Sequence, residues 1–193
     1  MIGARIGHSL DPLLLRIYHL FLSDRSINPN SITLVALFFS LLCVPLVILD
    51  RHVLAGTALL VSGFFDILDG AVARQTGRVT PYGGFLDSVL DRYADLAVAF
   101  AVFIYFTSNG DTLWATLTFA AAIGTALIPY MRARAEAAGI ECKAGLLERP
   151  ERTMLLVIGL WFGVLRPVIL LLAVFTHVTA IQRILIARKS TRQ

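Results

Sequence analysis

The chain has 193 residues, 57% of them hydrophobic and 16% charged, with 17 Lys and Arg against 13 Asp and Glu; its mean hydropathy is +0.76. Soluble domains carry about 25% charged residues, so this composition excludes an ordinary soluble fold and points to an all-α integral membrane protein, of a length that suits one domain over residues 1–193. The formal net charge of +4 does not indicate a nucleic-acid partner, because the cations stand beside apolar spans, where they set topology or meet anionic ligands.

Residues 1–28 place Leu13, Leu14, Ile17, Leu20 and Phe21 at helical spacing, with Asp11, Arg16 and His19 off that stripe. Too short and too charged to span, this segment reads as an interfacial amphipathic juxtamembrane helix. No compact charged-then-apolar region with a cleavage site precedes it, so no cleaved signal is expected. Asn28-Pro29-Asn30 punctuates the chain, and Asn30 or Ser31 can cap a first span over Ile32–Leu49. Asp50-Arg51-His52 is a polar turn. A second span covers about Val53–Arg74, a third about Tyr82–Phe106, and Ser108–Asp111 is a turn. The fourth covers about Thr112–Met131, followed by a charged loop. The fifth, Thr153–Leu165, falls short of the usual ~20 residues and is expected to begin inside the loop as a helix lined by arginines. After Arg166-Pro167 a sixth span covers about Val168–Ile186. Residues 29–188 thus form a six-helix bundle and 189–193 a basic tail. Cys43 reads as a packing residue and Cys142 as a reduced loop cysteine.

Six spans put both termini on one side. Of the Lys and Arg residues, Arg51 and Arg166 fall on the other side and Arg92 lies within a span; every other one falls with the termini. The positive-inside rule places that side in the cytoplasm of a multi-pass cell-membrane protein.

The second and third spans carry acids where hydrocarbon is expected. Asp66 and Asp69 are three residues apart, Asp87 and Asp91 four, so each pair lies on one helix face. Asp66 and Asp91 lie at matching depth, roughly 12–14 Å in from the Gln75–Pro81 turn at 1.5 Å per residue. A carboxylate in hydrocarbon costs roughly 2.5–3.5 kcal/mol even on the lenient insertion scale, so four of them need positive charge. A hard divalent cation such as Mg²⁺, Mn²⁺ or Ca²⁺ is the simplest candidate. Gly70, Ala73 and Gly83 give small faces beside the acids, which suit helix packing or close approach of a ligand. Arg74 can reach a phosphate or snorkel at the span end. A fifth acid, Asp95, is expected to pair with Arg92.

The pattern Asp66-xx-Asp69-Gly70-xx-Ala73-Arg74, eight residues, then Gly83-xxx-Asp87-xxx-Asp91 resembles the signature of the CDP-alcohol phosphotransferase (CDP-alcohol phosphatidyltransferase) family. The six-span architecture extends the likeness over essentially the whole chain. The resemblance implies a membrane-embedded homodimer that transfers a substituted phosphate from a CDP-linked lipid to an alcohol and releases CMP. It implies Asp66, Asp69 and Asp87 as ligands of two Mg²⁺ or Mn²⁺ ions, with Asp91 a shared ligand and the general base. Gly70, Ala73, Arg74 and Gly83 would surround the CDP group. Pro29, Asn30, Ser31 and Thr33 match the family's first-span entry near the donor pyrophosphate, and Thr80 can touch the same group; turn and cap chemistry explains these positions equally well.

Tyr130–Glu136, Glu148–Arg152 and Gln182-Arg183 resemble the inositol-phosphate branch of that family, the phosphatidylinositol-phosphate and archaetidylinositol-phosphate synthases. By that likeness Arg132, Arg152 and Arg183 bind the phosphate of a phosphorylated polyol acceptor. Arginines from three spans can suit a dianion, although positive-inside charge with Glu148 and Glu151 as partners accounts for any one of them. Two other readings stand beside this one. The acceptor can be glycerol phosphate, another polyol phosphate or a plain alcohol. Alternatively the acids can serve a divalent metal carrier, which leaves the Gly/Ala positions and the arginines without a role.

Overall fold

The computed structural model describes residues 28–140, 145 and 147–190. The expected juxtamembrane helix, Cys142 and the last residues of the tail lie outside the described residues. Six helices follow one another: α1 Pro29–Ile48, α2 His52–Gln75, α3 Pro81–Ser108, α4 Thr112–Ala137, α5 Arg149–Trp161 and α6 Leu165–Ser190. No strand occurs among the described residues.

The helix starts follow cap chemistry. Asn28, not Asn30 or Ser31, caps α1: its side chain accepts from the Asn30 N–H at 3.1 Å. Pro29 then fills the first helical position, where its missing N–H costs nothing. Thr80 does the same for α3, its hydroxyl accepting from Gly83 N at 3.0 Å ahead of Pro81. The stops share one design. At α2 the Arg78 N–H reaches Ala73 O at 3.0 Å, and at α4 the Ile140 N–H reaches Ala135 O at 2.8 Å. These are the six-to-one bonds of a Schellman stop, with Gly77 at φ 65 and Gly139 at φ 71. α1 ends alike on Asp50, the one non-glycine at positive φ among the described residues.

Two boundaries differ from the sequence expectation. α4 runs on past Met131 to Ala137, because Arg132 and Glu136 form an i,i+4 pair at 2.9 Å that extends the helix into the polar segment. α5 begins at Arg149, inside the charged segment and with arginines in its first turn as expected, but ends at Trp161 instead of Leu165; Pro150 sits in its first turn and Gly163, at φ 67, turns the chain into α6.

α1 packs on α2 and α3, α3 on α4, α4 on α6, α6 on α5, and α5 on α2. The contacts close into a ring. Cys43, Val47, Val98, Val102, Leu160 and Leu172 belong to its main core, and Ile32, Leu68, Ala71 and Val72 to a smaller one under the start of α1. Ser62 Oγ donates to Ala36 O at 2.8 Å, which leaves the Ser40 hydroxyl to donate to Ser62 at 2.7 Å and locks α1 to α2. Close approach elsewhere needs glycine. A Cβ on Gly56 would lie 2.6 Å from the Trp161 ring, and one on Gly124 would lie 2.1 Å from Thr176 Oγ1.

α1, α2, α4 and α6 are long and apolar enough to cross a membrane. α3 carries Asp87, Asp91, Arg92 and Asp95, and α5 has 13 residues, so composition and length keep these two from meeting the same measure. Outward-facing Phe38, Phe100, Phe119 and Ile184 are all more than half exposed, as a lipid-facing surface requires. The protein is a multi-pass membrane protein.

Candidate active site

α2 enters and α3 leaves the turn over residues 76–80, so the acidic faces of the two helices meet. Carboxylate oxygens of Asp66, Asp87 and Asp91 lie within 4.8 Å of one another. Asp69 stands beside them, buried at 6% exposure, within electrostatic range of Asp66 and Asp87 and next to Thr33. Its Oδ2 has no hydrogen-bond partner among the described residues. A buried carboxylate oxygen left so is costly unless something positive meets it. Four converging carboxylates offer only hard oxygen donors, the set that suits Mg²⁺, Mn²⁺ or Ca²⁺.

α5 supplies a residue that the sequence reading left unassigned. Arg149 Nη1 lies 2.5 Å from Asp66 Oδ1 and 2.9 Å from Asp91 Oδ1, and its Nε lies 3.4 Å from Asp95 Oδ1. Arg152 Nη2 meets the other Asp95 oxygen at 3.3 Å, and its Nη1 donates to Leu147 O at 3.1 Å. The expected Asp95–Arg92 pair does not form. Arg92 donates instead to Ser88 O on its own helix, and Asp95 is taken by two guanidiniums from α5. A signal for Arg149 was present: Arg149 and Arg152 are three residues apart at the start of one helix, so they share a face.

The expected donor contacts gather at the paired starts of α1 and α3. A Cβ on Gly83 would lie 3.0 Å from Thr80 Oγ1 and 3.3 Å from Asn30 Oδ1, so the two N-termini converge there. Pro29 and Thr33 are buried, with Thr33 Oγ1 donating to Pro29 O at 3.2 Å; Ser31 and Arg74 are exposed and Ala73 is half-buried. On α2 a Cβ at Gly70 would lie 3.1 Å from Arg74 Nη1, so the bare backbone leaves room for that guanidinium. Of the three expected acceptor arginines, Arg132 is exposed and paired with Glu136. Arg183 is buried, donates to Ile128 O and lies against Gly145. Arg183 therefore reaches α4 one turn before Arg132, which stands on that helix, whereas Arg152 is engaged on α3 at Asp95.

Below the carboxylates the ring encloses a cavity of about 540 Å³. Asp66, Asp95, Arg149 and Arg152 form one part of its wall; Leu60, Val98, Val102, Ala121, Val157 and other apolar side chains form most of the rest, with Ser40, Ser62, Thr118, Thr125 and Thr153 among them.

Fold and site together define a membrane-embedded carboxylate centre built on two facing helices. A family model described as CDP-alcohol phosphatidyltransferase matches residues 26–181. The chain is 37% identical over 169 residues to an archaetidylinositol phosphate synthase of Pyrococcus horikoshii, with 87% of each chain covered. It is 39% identical over 144 residues to a phosphatidylinositol phosphate synthase of Mycobacteroides abscessus, covering 70% of this chain and 65% of that one. The fold superposes on the Mycobacterium tuberculosis phosphatidylinositol phosphate synthase PgsA1 with CDP-DAG bound, at TM-score 0.78 and 27% identity over 96% of this chain and 95% of that one. It superposes on the same enzyme in complex with manganese and citrate at TM-score 0.80, covering 96% and 88%. The chain belongs to the CDP-alcohol phosphatidyltransferase family. It is an enzyme, a transferase of phosphorus-containing groups in phospholipid biosynthesis.

Proposed function

We propose that the protein transfers the lipid-phosphate group of CDP-diacylglycerol or CDP-archaeol to a hydroxyl of inositol phosphate and releases CMP. The observation that carries this reading is the meeting of Asp66, Asp87 and Asp91 from two helices in a chain whose relatives are inositol-phosphate lipid synthases. Asp66, Asp69, Asp87 and Asp91 would hold two divalent cations, Mg²⁺ or Mn²⁺; the all-oxygen donor set and the unpartnered Asp69 Oδ2 fit that group. When bound, the cations neutralise charge on the pyrophosphate and on the departing CMP.

The chain's own residues do the rest. Asp91 takes the acceptor's hydroxyl proton as general base. The hydroxyl oxygen forms a bond to the lipid-bearing phosphorus, and the bond from that phosphorus to CMP breaks with its electron pair on CMP. Asn30, Thr80 and Gly83, at the paired helix starts, face the donor pyrophosphate, where helix N-termini favour anions. Pro29, Ser31 and Thr33 shape that corner. Gly70 and Ala73 keep the α2 face open, and Arg74 reaches a phosphate oxygen. Arg132, Arg152 and Arg183 bind the acceptor's phosphate, for which guanidiniums provide charge and paired donors.

The same reading takes the chain as one domain of six spans with the termini and the active site in the cytoplasm, as a homodimer, with the juxtamembrane helix on the membrane surface. The Lys and Arg distribution supports the orientation. The shortness of α5 is compatible with a span, because Arg149 starts the helix at the depth of Asp66 and Asp91. Its 13 residues then add about 20 Å at 1.5 Å per residue.

The deciding experiment is purified enzyme with a CDP-lipid and inositol phosphate, free inositol or glycerol phosphate, followed by CMP release. Release with inositol phosphate alone is the expected result. Release with glycerol phosphate alone overturns the acceptor assignment.

A further inference from the structure

We propose that Arg149 is the resident counter-ion of the carboxylate centre: a positioning residue that neutralises Asp66 and Asp91 in the metal-free protein and yields both to a divalent cation, while Asp95 keeps hold of it. The inference rests on the reading that the centre holds a divalent cation.

Three carboxylates with oxygens within 4.8 Å of one another repel strongly where the surroundings are apolar. A metal-free chain must still fold with them in place. Arg149 meets this need. Its guanidinium cannot lose its proton, it is only 23% exposed, and its Nη1 bridges Asp66 on α2 and Asp91 on α3. The bridge crosses the interface at which the two acidic faces meet, so it also holds the halves of the centre together.

The same guanidinium has a second anchor. Nε faces Asp95 at 3.4 Å, and Asp95 stands outside the triad of Asp66, Asp87 and Asp91. Arg149 is therefore forked between two carboxylates that a cation needs and one that it does not. A cation held by the centre would compete with Nη1 for the same two carboxylates, Asp66 and Asp91. Giving up Nη1 leaves the side chain paired through Nε and adjacent to Arg152, which shares Asp95. A contact made in the metal-free state and given up on loading must, by linkage, oppose metal binding. Arg149 thus sets how readily the centre loads and keeps the apo protein assembled until it does.

The test is a Mn²⁺ titration of purified, nucleotide-free protein, with free Mn²⁺ read by electron paramagnetic resonance, beside thermal unfolding with and without Mn²⁺. Arg149→Gln is expected to bind Mn²⁺ at least about tenfold more tightly than wild type, within the usual span of site couplings. It should also unfold at lower temperature without metal and gain more from Mn²⁺. Arg149→Lys keeps the charge but not the fork, so its Mn²⁺ affinity should fall between wild type and Arg149→Gln. Asp95→Asn removes the second anchor, so Arg149 remains on Asp66 and Asp91 and Mn²⁺ binds more weakly. Wild-type or weaker Mn²⁺ affinity in a monodisperse Arg149→Gln overturns the assignment. If that variant does not fold, unchanged or tighter binding in Asp95→Asn overturns it instead. Absence of Mn²⁺ binding in wild type and variants alike removes the cation reading itself, and this inference with it.

Discussion

In the proposed reaction Asp91 has two tasks, to meet positive charge and to receive a proton. An Asn at this position keeps shape and one acceptor oxygen but cannot take the acceptor's proton. Asp91→Asn should lower kcat by at least about 100-fold, in line with the usual contribution of a general base, while CDP-lipid still binds; titration calorimetry against CMP release separates the two effects. Near-wild-type turnover would remove the base assignment. Much of this scale was legible in the chain. The spacing of Asp66, Asp69, Asp87 and Asp91 is a local property of two helices joined by a short turn, so helical geometry alone brings the faces together. Arg149 was not legible in the same way. Its contact with Asp95 spans 54 positions, and only the packing of α5 on α2 shows which of the loop's cations arrives at the acids. The Asp95–Arg92 expectation failed for the same reason, since a neighbour on the same helix was judged against no knowledge of α5.

Among the elements, α5 is the one on which the site depends most. Thirteen residues give little contact area, and one close contact with α2 is at Gly56, where the Trp161 ring lies on bare backbone and Trp161 Nε1 donates to Thr57 Oγ1 at 3.3 Å. Gly56→Ala puts a methyl 2.6 Å from that ring and should cost about 1–3 kcal/mol, the usual range for overpacking. Thermal unfolding in detergent checks this, and Gly56→Ala combined with Trp161→Leu should recover part of the loss because the two residues touch. Full stability in the single variant would show that the contact relaxes freely. The long apolar helices were readable from their runs and from the polar turns at Asp50–His52 and Ser108–Asp111. Hydropathy assigns the first turn of α5, Arg149-Pro150-Glu151-Arg152, to the loop, and only the shortness of the apolar run pointed to a start among the arginines; its end at Trp161 was not readable. α4 outran its expected end for a related reason, the Arg132–Glu136 pair carrying helix into polar sequence.

For the whole molecule, the reading makes activity depend on a divalent cation and on orientation. Chelation with EDTA should abolish CMP release, and Mn²⁺ or Mg²⁺ should restore it; full activity after exhaustive chelation would sink the metal assignment. Orientation is checked by single cysteines in a Cys142→Ser background. One at Gly77 should react with an impermeant thiol reagent only from the cytoplasmic face, and one at Asn109 only from the opposite face. The reverse pattern would invert the topology. Composition and charge placement were enough to read a multi-pass protein and its expected sidedness. The closed ring of helices was not readable, since it depends on α4 meeting α6 and α5 meeting α2, contacts that no local pattern announces.

The chamber inside that ring is walled by two kinds of surface. Val98, Val102, Ala121 and Val157 offer water no hydrogen bond, whereas Asp66, Asp95, Arg149 and Arg152 do. Water settles in a cavity only where polar partners hold it, so moisture gathers against the acids and the two arginines and leaves the valine side bare. A molecule with a charged head and a greasy tail is sorted along the same gradient, head toward the carboxylates.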